Sequence, residues 1–210
     1  MKIKNIIWDF DGTIMDTYPA IATSTFNVAQ KNNIDITYDE ILRMTKITLR
    51  YALEYISDIS SIPYEKVFQE YLQEYDKFDI STLTLFPFVK EVLEYVIQHG
   101  GKNYINTHRG KESLIEHLEG KGITSLFTYI VSGDYKFRRK PEPDSFLFLK
   151  EKFNLNPSDT IVVGDRLLDV QAGYSAGFPG IIYQNSIDFP GKLTSIDDYS
   201  QLLELIKENE

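Results

Sequence analysis

The chain has 210 residues, of which 42% are hydrophobic and 25% are charged, and this is the composition of a folded globular protein rather than a disordered one. Its 31 acidic and 22 basic residues give a net charge of −9, which argues against general binding to nucleic acids or anionic membranes. The sequence has no cysteine, which excludes disulfides, thiol nucleophiles and thiolate metal centres within it.

The first apolar segment does not have the length of a targeting sequence. Ile6, Ile7 and Trp8 stand between Lys4 and Asp9, and this run is too short for the core of a signal peptide. No later stretch is long and apolar enough to span a bilayer. The sequence therefore predicts a soluble, cytoplasmic protein, with a monomer as the default expectation.

Five short apolar runs, each followed by polar or turn-forming residues, predict buried β-strands. They cover residues 3–8, 104–105, 129–131, 161–163 and 180–183. Between the later runs lie segments of helical periodicity, such as the apolar stripe within residues 88–97. This alternation predicts an α/β fold, with a Rossmann-like parallel sheet core flanked by helices.

Residues 17–84 break the alternation, because their pattern is helical throughout. Apolar residues recur at i, i+3, i+4 and i+7 within residues 49–56, and a wider aromatic face runs through residues 67–78. Residues 57–63 predict a turn between these two helices, with Pro63 placed to start the second.

We interpret residues 17–84 as an all-helical insertion into an α/β domain formed by residues 1–16 and 85–210. The alternative is a long run of helices packed on one face of a single sheet. The insertion is favoured because one sheet face rarely accommodates four consecutive helices.

The first candidate site is the pair Asp9 and Asp11, at the end of the first predicted strand, where Gly12 permits a sharp turn. Two carboxylates about 4 Å apart repel by roughly 4 kcal/mol at an effective dielectric constant near 20. Either one is then protonated or a cation lies between them. Such a pair suits a nucleophile that also binds metal and a neighbouring general acid and base. The alternative is an Asx turn that caps the strand.

A second acidic pair, Asp165 and Asp169, follows the predicted strand at residues 161–163 and opens a helix. Oxygen ligands from two neighbouring strand ends are what Mg²⁺ prefers. Taken alone, the pair slightly favours a helix start, in which Asp165 would complement the helix N-terminus and Asp169 would lie one turn in. The first acidic strand end makes the metal site the favoured interpretation.

Two further positions favour phosphate binding. The Thr107 hydroxyl and the backbone amides after it, at a strand-to-helix turn, predict an anion site, with a helix cap before Lys111 as the alternative. Lys140 is followed by a Pro-x-Pro sequence that fixes its loop and directs its ammonium group. Arg138 and Arg139, in the same basic run, are interpreted as solvated surface.

In this order the motifs resemble those of the haloacid dehalogenase superfamily, in its phosphoglycolate-phosphatase-like branch. The matching residues are Asp9-Phe10-Asp11-Gly12-Thr13, Thr107, Lys140-Pro141, and Gly164-Asp165 with Asp169. The resemblance covers essentially the whole chain and implies that residues 17–84 form a helical cap domain on a catalytic core. It also implies a Mg²⁺-dependent phosphatase for a small phosphorylated metabolite, phosphoglycolate-like or a phosphosugar.

The resemblance further implies a role for each motif residue. Asp9 would attack phosphorus to form an aspartyl-phosphate, and Asp11 would protonate the leaving alcohol and then deprotonate the hydrolytic water. Mg²⁺ would be bound by the side chains of Asp9 and Asp165 and by the backbone carbonyl of Asp11. Phosphate-binding residues would be Thr107, Lys140 and His108, and supporting residues Asp169, Gly12 and Thr13.

The chain departs from the family pattern at a few positions, notably His108, where Asn is common, and Arg166, where Ser is common. The roles of these residues and of Arg109 are left open by the sequence. Two alternatives also stay open: a phosphomutase of the β-phosphoglucomutase type, and a non-catalytic or phospho-acceptor regulatory module. Asp11 favours a phosphate ester as substrate, since an alcohol leaving group needs a proton.

Overall fold

The computed structural model describes residues 2–184 and 194–208 of the chain, and within them six short strands form one parallel sheet. The strands are β1 (Asn5–Trp8), β2 (Lys102–Asn106), β3 (Tyr129–Val131), β4 (Thr160–Gly164), β5 (Gly180–Tyr183) and β6 (Thr194–Ile196). Their order is β3-β2-β1-β4-β5-β6, so β1 lies between β2 and β4. The predicted α/β fold with a parallel sheet is confirmed.

Nine α-helices lie within the described residues. They are α1 (Tyr18–Lys31), α2 (Tyr38–Ile47), α3 (Leu49–Ser60), α4 (Tyr64–Tyr75), α5 (Val89–Gln98), α6 (Lys111–Gly120), α7 (Asp144–Phe153), α8 (Leu167–Ser175) and α9 (Tyr199–Glu208). In this part of the chain no helix has the length and apolarity needed to cross a bilayer.

The chain divides into two compact units, one made of residues 1–15 and 85–210 and the other of residues 16–84. The sheet and helices α5–α9 belong to the first unit, and helices α1–α4 belong to the second. In the first unit Met15 forms an antiparallel bridge with Leu85. In the second, the backbone N–H of Asp16 donates to the carbonyl of Thr84 at 3.0 Å. The helical unit therefore begins and ends at one place.

Helix α3 continues through Ser60, so the turn predicted over residues 57–63 is wrong for its first four residues. The Ser60 hydroxyl donates to the Ile56 carbonyl at 2.7 Å, and Ser61 ends the helix in the left-handed conformation with φ 57°. A serine hydroxyl that donates to the carbonyl four residues earlier is compatible with a helical backbone, so Ser60 remains within the helix. Pro63 precedes α4, as the sequence predicts.

The central strands of the sheet are covered on both faces. Ile7 of β1 packs on one face in an apolar cluster that also contains Tyr104 of β2 and residues of α7 and α8. On the opposite face Trp8 lies 5.7 Å, between ring centroids, from Tyr199 of α9. Because β1, β2 and β4 are adjacent and parallel, the polar residues that follow them meet at one edge of the sheet.

Candidate active site

Three strands deliver the predicted motifs to this edge. Asp9 follows β1, and its backbone N–H continues the ladder to the Val163 carbonyl at 2.9 Å. Thr107 follows β2, and its N–H likewise donates to the Val131 carbonyl at 2.9 Å. Asp165 follows β4. The pairing of neighbouring strands thus places residues from distant parts of the sequence side by side.

Lys140 joins the motifs from a buried position. Its Nζ donates to Asp9 Oδ1 at 2.7 Å, to the Asn106 carbonyl at 3.0 Å and to Asp169 Oδ1. The Lys140 side chain is only 1% exposed. A buried ammonium of this kind is stable because every acceptor around it carries negative charge or a carbonyl dipole.

The buried charges do not titrate alike. Burial, and then the charge of Asp169, raises the pKa of Asp9 to about 7, although Lys140 opposes the rise. For Asp169 burial acts in the same direction, but Lys140 and Arg166 outweigh it and hold its pKa below the ordinary value. Burial also acts against the charge of Lys140, yet Asp169 and Asp9 raise its pKa. Of these two buried carboxylates, Asp9 is therefore the one whose ionised form the neighbouring cations do not fully stabilise.

Three carboxylates form what we call the acidic cluster: Asp9, Asp165 and Asp169, with one oxygen of each lying within 4.8 Å of the others. Asp9 Oδ2 is buried and accepts no hydrogen bond from any described residue. Thr13 Oγ1 donates to Asp165 Oδ1 at 3.1 Å and orients that carboxylate. An oxygen donor set with an unsatisfied buried atom fits a hard divalent cation such as Mg²⁺.

Asp169 also organises the start of helix α8. Its Oδ2 accepts the backbone N–H of Arg166 at 3.2 Å. Arg166, and not Asp165, is the N-cap residue, so the helix-start alternative is wrong for Asp165 but is confirmed for Asp169, which lies in the first turn. A Cβ at Gly164 would overlap the Asp169 side chain. The glycine thus permits the close approach that lets one carboxylate bind both the helix start and Lys140.

The turn after β1 depends on Gly12 and Thr13. Gly12 has φ 76°, a left-handed conformation that glycine adopts without steric cost. Thr13 is fully buried, and its carbonyl accepts the Tyr199 hydroxyl at 2.8 Å. This bond anchors the turn that carries Asp11 to helix α9.

Arg109 binds the second carboxylate of the first motif. Its Nε and Nη2 lie 3.0 Å and 2.6 Å from Asp11 Oδ1, and its Nη1 donates to Ser113 Oγ at 2.8 Å. The guanidinium lies over the Phe10 ring, 5.7 Å from its centroid, and the side chain is 9% exposed. The sequence motifs assign no role to Arg109. Its position two residues after Thr107 was the one indication in the sequence that it could lie in the site.

Thr107 closes a tight turn rather than capping a helix. Its Oγ1 accepts the Arg109 N–H at 3.1 Å, and the N-cap of α6 is Gly110. The alternative in which Thr107 caps this helix is therefore wrong. Because the Thr107 oxygen is the acceptor in that bond, its hydroxyl proton is still available to donate to an anion.

His108 supports the loop that carries Lys140. Its Nε2 accepts the backbone N–H of Lys140 at 3.1 Å. Burial, and then the charges of Lys140 and Arg166, lowers the pKa of His108 to about 3. The ring is neutral near neutral pH, with its proton on Nδ1, and Nδ1 is the atom left for the predicted phosphate contact.

The low pKa of His108 predicts an acid-sensitive contribution to stability. As the pH falls below the unfolded value of about 6.5, the unfolded chain gains a proton that the folded chain does not, and stability falls by up to about 1.4 kcal/mol per pH unit. His108→Gln keeps an acceptor and cannot titrate. Between about pH 7 and pH 5, its free energy of unfolding should fall by about 2 kcal/mol less than that of the wild type.

Urea unfolding at a series of pH values measures this difference, and the comparison above about pH 7 serves as the control because both residues are then neutral. Parallel pH dependences for the two proteins would contradict the assignment of a neutral, buried His108.

Comparisons with known proteins agree with this arrangement. The sequence model of the haloacid dehalogenase-like hydrolases matches residues 6–182. A phosphoglycolate phosphatase from Vibrio parahaemolyticus is 28% identical over 219 residues, which cover 97% of this chain and 96% of that protein. The pyrophosphatase PpaX from Oceanobacillus iheyensis is 27% identical over 177 residues, covering 84% of this chain and 81% of that protein.

A solved structure extends the similarity to the fold. The crystal structure assigned to a β-phosphoglucomutase from Thermotoga maritima superposes with a TM-score of 0.78 at 25% sequence identity. The superposition covers 98% of this chain and 99% of that one.

Proposed function

The chain belongs to the haloacid dehalogenase-like hydrolase family and is a phosphoric monoester hydrolase, and we propose that it cleaves a small phosphorylated metabolite with the help of Mg²⁺. The substrate class we propose is a phosphoglycolate-like ester or a phosphosugar. The observation that carries the proposal is the buried Lys140, whose ammonium binds Asp9 within the acidic cluster. A cytoplasmic location and a monomeric state stay predictions.

In the proposed first step, a carboxylate oxygen of Asp9 attacks phosphorus. A bond forms between this oxygen and phosphorus while the bond from phosphorus to the ester oxygen breaks, which gives an aspartyl-phosphate. Asp11 gives its proton to the departing alcohol oxygen. Arg109 holds the Asp11 carboxylate through Nε and Nη2 and so fixes the side chain that must reach the leaving group.

In the proposed second step, Asp11 takes a proton from water, the water oxygen bonds to phosphorus, and the bond from phosphorus to Asp9 breaks. This returns the Asp9 carboxylate and releases inorganic phosphate, and Asp11 is again protonated. General acid–base assistance of this kind contributes about 10²–10⁴-fold to a rate.

Local charge decides whether an acidic protein can bind an anionic substrate here. Lys140 supplies a positive charge at the nucleophile, and the Thr107 hydroxyl supplies a hydrogen-bond donor at the neighbouring strand end. Mg²⁺, when bound by Asp9, Asp165 and the Asp11 carbonyl, supplies the charge that neutralises the phosphate oxygens. Asp169 would hold Lys140 and the metal site in place.

A phosphomutase is the second candidate, because the Thermotoga maritima structure assigned to a β-phosphoglucomutase has the same fold over nearly the whole chain. A mutase must hold and reorient a doubly phosphorylated intermediate, which requires basic residues in the helical unit. Arg50 is engaged there by Glu54 at 2.6 Å and is largely exposed, as expected for solvated surface. We therefore favour the phosphatase.

A panel of small phosphate monoesters tests the function. Phosphoglycolate, phosphosugars, nucleoside monophosphates and p-nitrophenyl phosphate are incubated with the enzyme and Mg²⁺, with and without EDTA. We expect release of inorganic phosphate that EDTA abolishes and that excess Mg²⁺ restores. An isomerised phosphosugar without phosphate release would support the mutase, and turnover that survives EDTA would contradict the metal requirement.

A further inference from the structure

Arg166 lies against all three carboxylates of the acidic cluster. Its Nη2 is 3.6 Å from Asp9 Oδ2, and its Nε is 3.6 Å from Asp169 Oδ2 and 3.9 Å from Asp165 Oδ1. One guanidinium thus forms ion pairs with two proposed metal ligands, Asp9 and Asp165, and with Asp169, which supports the site.

The contacts of Arg166 differ in kind from those of Lys140. Lys140 makes short hydrogen bonds to Asp9 and Asp169 and is 1% exposed, whereas the three ion pairs of Arg166 are longer than hydrogen bonds and its side chain is 15% exposed. Lys140 is a fixed part of the site. Arg166 neutralises the cluster by charge while leaving Asp9 Oδ2 without a hydrogen bond.

The charge balance shows what the guanidinium does. The acidic cluster has three carboxylates, and among the described residues Lys140 and Arg166 are cations that pair with it. When all three carboxylates are ionised, these two cations leave a net charge of about −1, and Lys140 alone leaves about −2. A divalent cation is attracted more strongly by the cluster without Arg166. With Arg166 in place, the guanidinium against the same oxygens also repels the cation directly.

We propose that Arg166 is an internal counter-ion that competes with the divalent cation for the acidic cluster. The inference rests on the metal site of the proposed function and deepens it by naming the residue that sets its affinity. In the metal-free protein Arg166 stabilises the three carboxylates, of which Asp9 and Asp169 are buried and Asp165 is partly exposed. When the metal binds, Arg166 gives up these contacts, and its partial exposure leaves it a route to solvent.

The test compares Arg166→Gln, which removes the charge but keeps a long polar side chain, with Arg166→Lys, which keeps a charge. Isothermal titration of the metal-free proteins with Mg²⁺, and with Mn²⁺ as a second probe, gives the dissociation constants. We expect Arg166→Gln to bind metal about tenfold more tightly or better and Arg166→Lys to stay near the wild type. In EDTA the Tm of Arg166→Gln should be lower, and added Mg²⁺ should raise it by more than in the wild type.

Two controls separate this inference from the proposed function. Arg138→Gln removes an exposed guanidinium that pairs with Asp144 and should leave the metal affinity unchanged. Asp165→Asn removes a proposed ligand and should weaken binding. If the wild type and Arg166→Gln bind Mg²⁺ equally, or the variant binds more weakly, competition by Arg166 is refuted while the metal site stands. If neither binds Mg²⁺, both proposals fail.

Discussion

Replacing Asp9 with Asn is expected to lower kcat for phosphate monoesters by about a thousandfold or more, because an amide cannot act as the nucleophile. The substitution is nearly isosteric, and Lys140 keeps the Asp169 carboxylate and the Asn106 carbonyl as acceptors. Steady-state hydrolysis of p-nitrophenyl phosphate with Mg²⁺ measures the loss. Intact-mass analysis of quenched reactions should show a phosphorylated wild type and an unmodified variant.

The stability of Asp9→Asn separates lost chemistry from lost folding. The folded-state pKa of Asp9 is raised to about 7, so above that pH the metal-free fold contains an ionised carboxylate that burial disfavours. This cost appears as the pH rises from the unfolded pKa through the folded one, and an amide avoids it. Above about pH 7 the metal-free variant should therefore be at least as resistant to urea as the wild type.

Asp144→Asn is the matched control, since Asp144 pairs with the exposed Arg138 outside the acidic cluster. It should retain wild-type activity. Undiminished turnover by Asp9→Asn would rule out Asp9 as the nucleophile, and an unfolded Asp9→Asn would contradict the stability argument.

Replacing Lys140 with Met is expected to reduce the free energy of unfolding by about 3–5 kcal/mol, the range found when one partner of a buried ion pair is removed. Asp9 and Asp169 then share a buried site without the ammonium that both contact. Activity should fall with stability, because the same ammonium supplies positive charge at Asp9, the proposed nucleophile. Urea unfolding and monoester hydrolysis measure the two losses.

The matched control is Lys136→Met, which removes an exposed ammonium from the same loop and should change the free energy of unfolding by about 0.5 kcal/mol or less. The double variant with Asp169→Asn removes one of the two stranded carboxylates and should recover part of the stability. If Lys140→Met alone is as stable as the wild type, the buried ion pairs do not contribute as described.

Much of the fold follows from local sequence. Each of the five predicted strands corresponds to an observed one, because a buried parallel strand is a short apolar run that ends at a polar turn. Strand β6 lacks this signal: of Thr194–Ile196 only Ile196 is buried. β6 forms because it pairs with β5 at the edge of the sheet, and three residues are too few for a sequence pattern to predict that pairing.

In the candidate site, too, some residues can be predicted from short sequence motifs and others cannot. Asp9, Thr107 and Lys140 are recognisable because short motifs at strand ends depend on residue type and spacing. Arg109 and Arg166 are not, because a guanidinium acts several bonds away from its own backbone. Arg109 also binds Asp11, which is distant in the sequence, and Arg166 likewise pairs with the distant Asp9 as well as with its near neighbours. Arg109 binds a carboxylate 98 positions earlier, and Arg138, in a more conspicuous basic run, is exposed.

The position of β1 in the sheet determines the order in which the chain is able to fold as it is made. β1 is synthesised first, yet its partners β2 and β4 begin only at Lys102 and Thr160. Residues 16–84, by contrast, are continuous and contain all four helices of their unit. During synthesis on a ribosome, the helical unit can therefore form before strands β2 and β4 are available to pair with β1. Asp9, the proposed nucleophile at the end of β1, is therefore translated before both neighbouring strands and is enclosed only after β4 has been made.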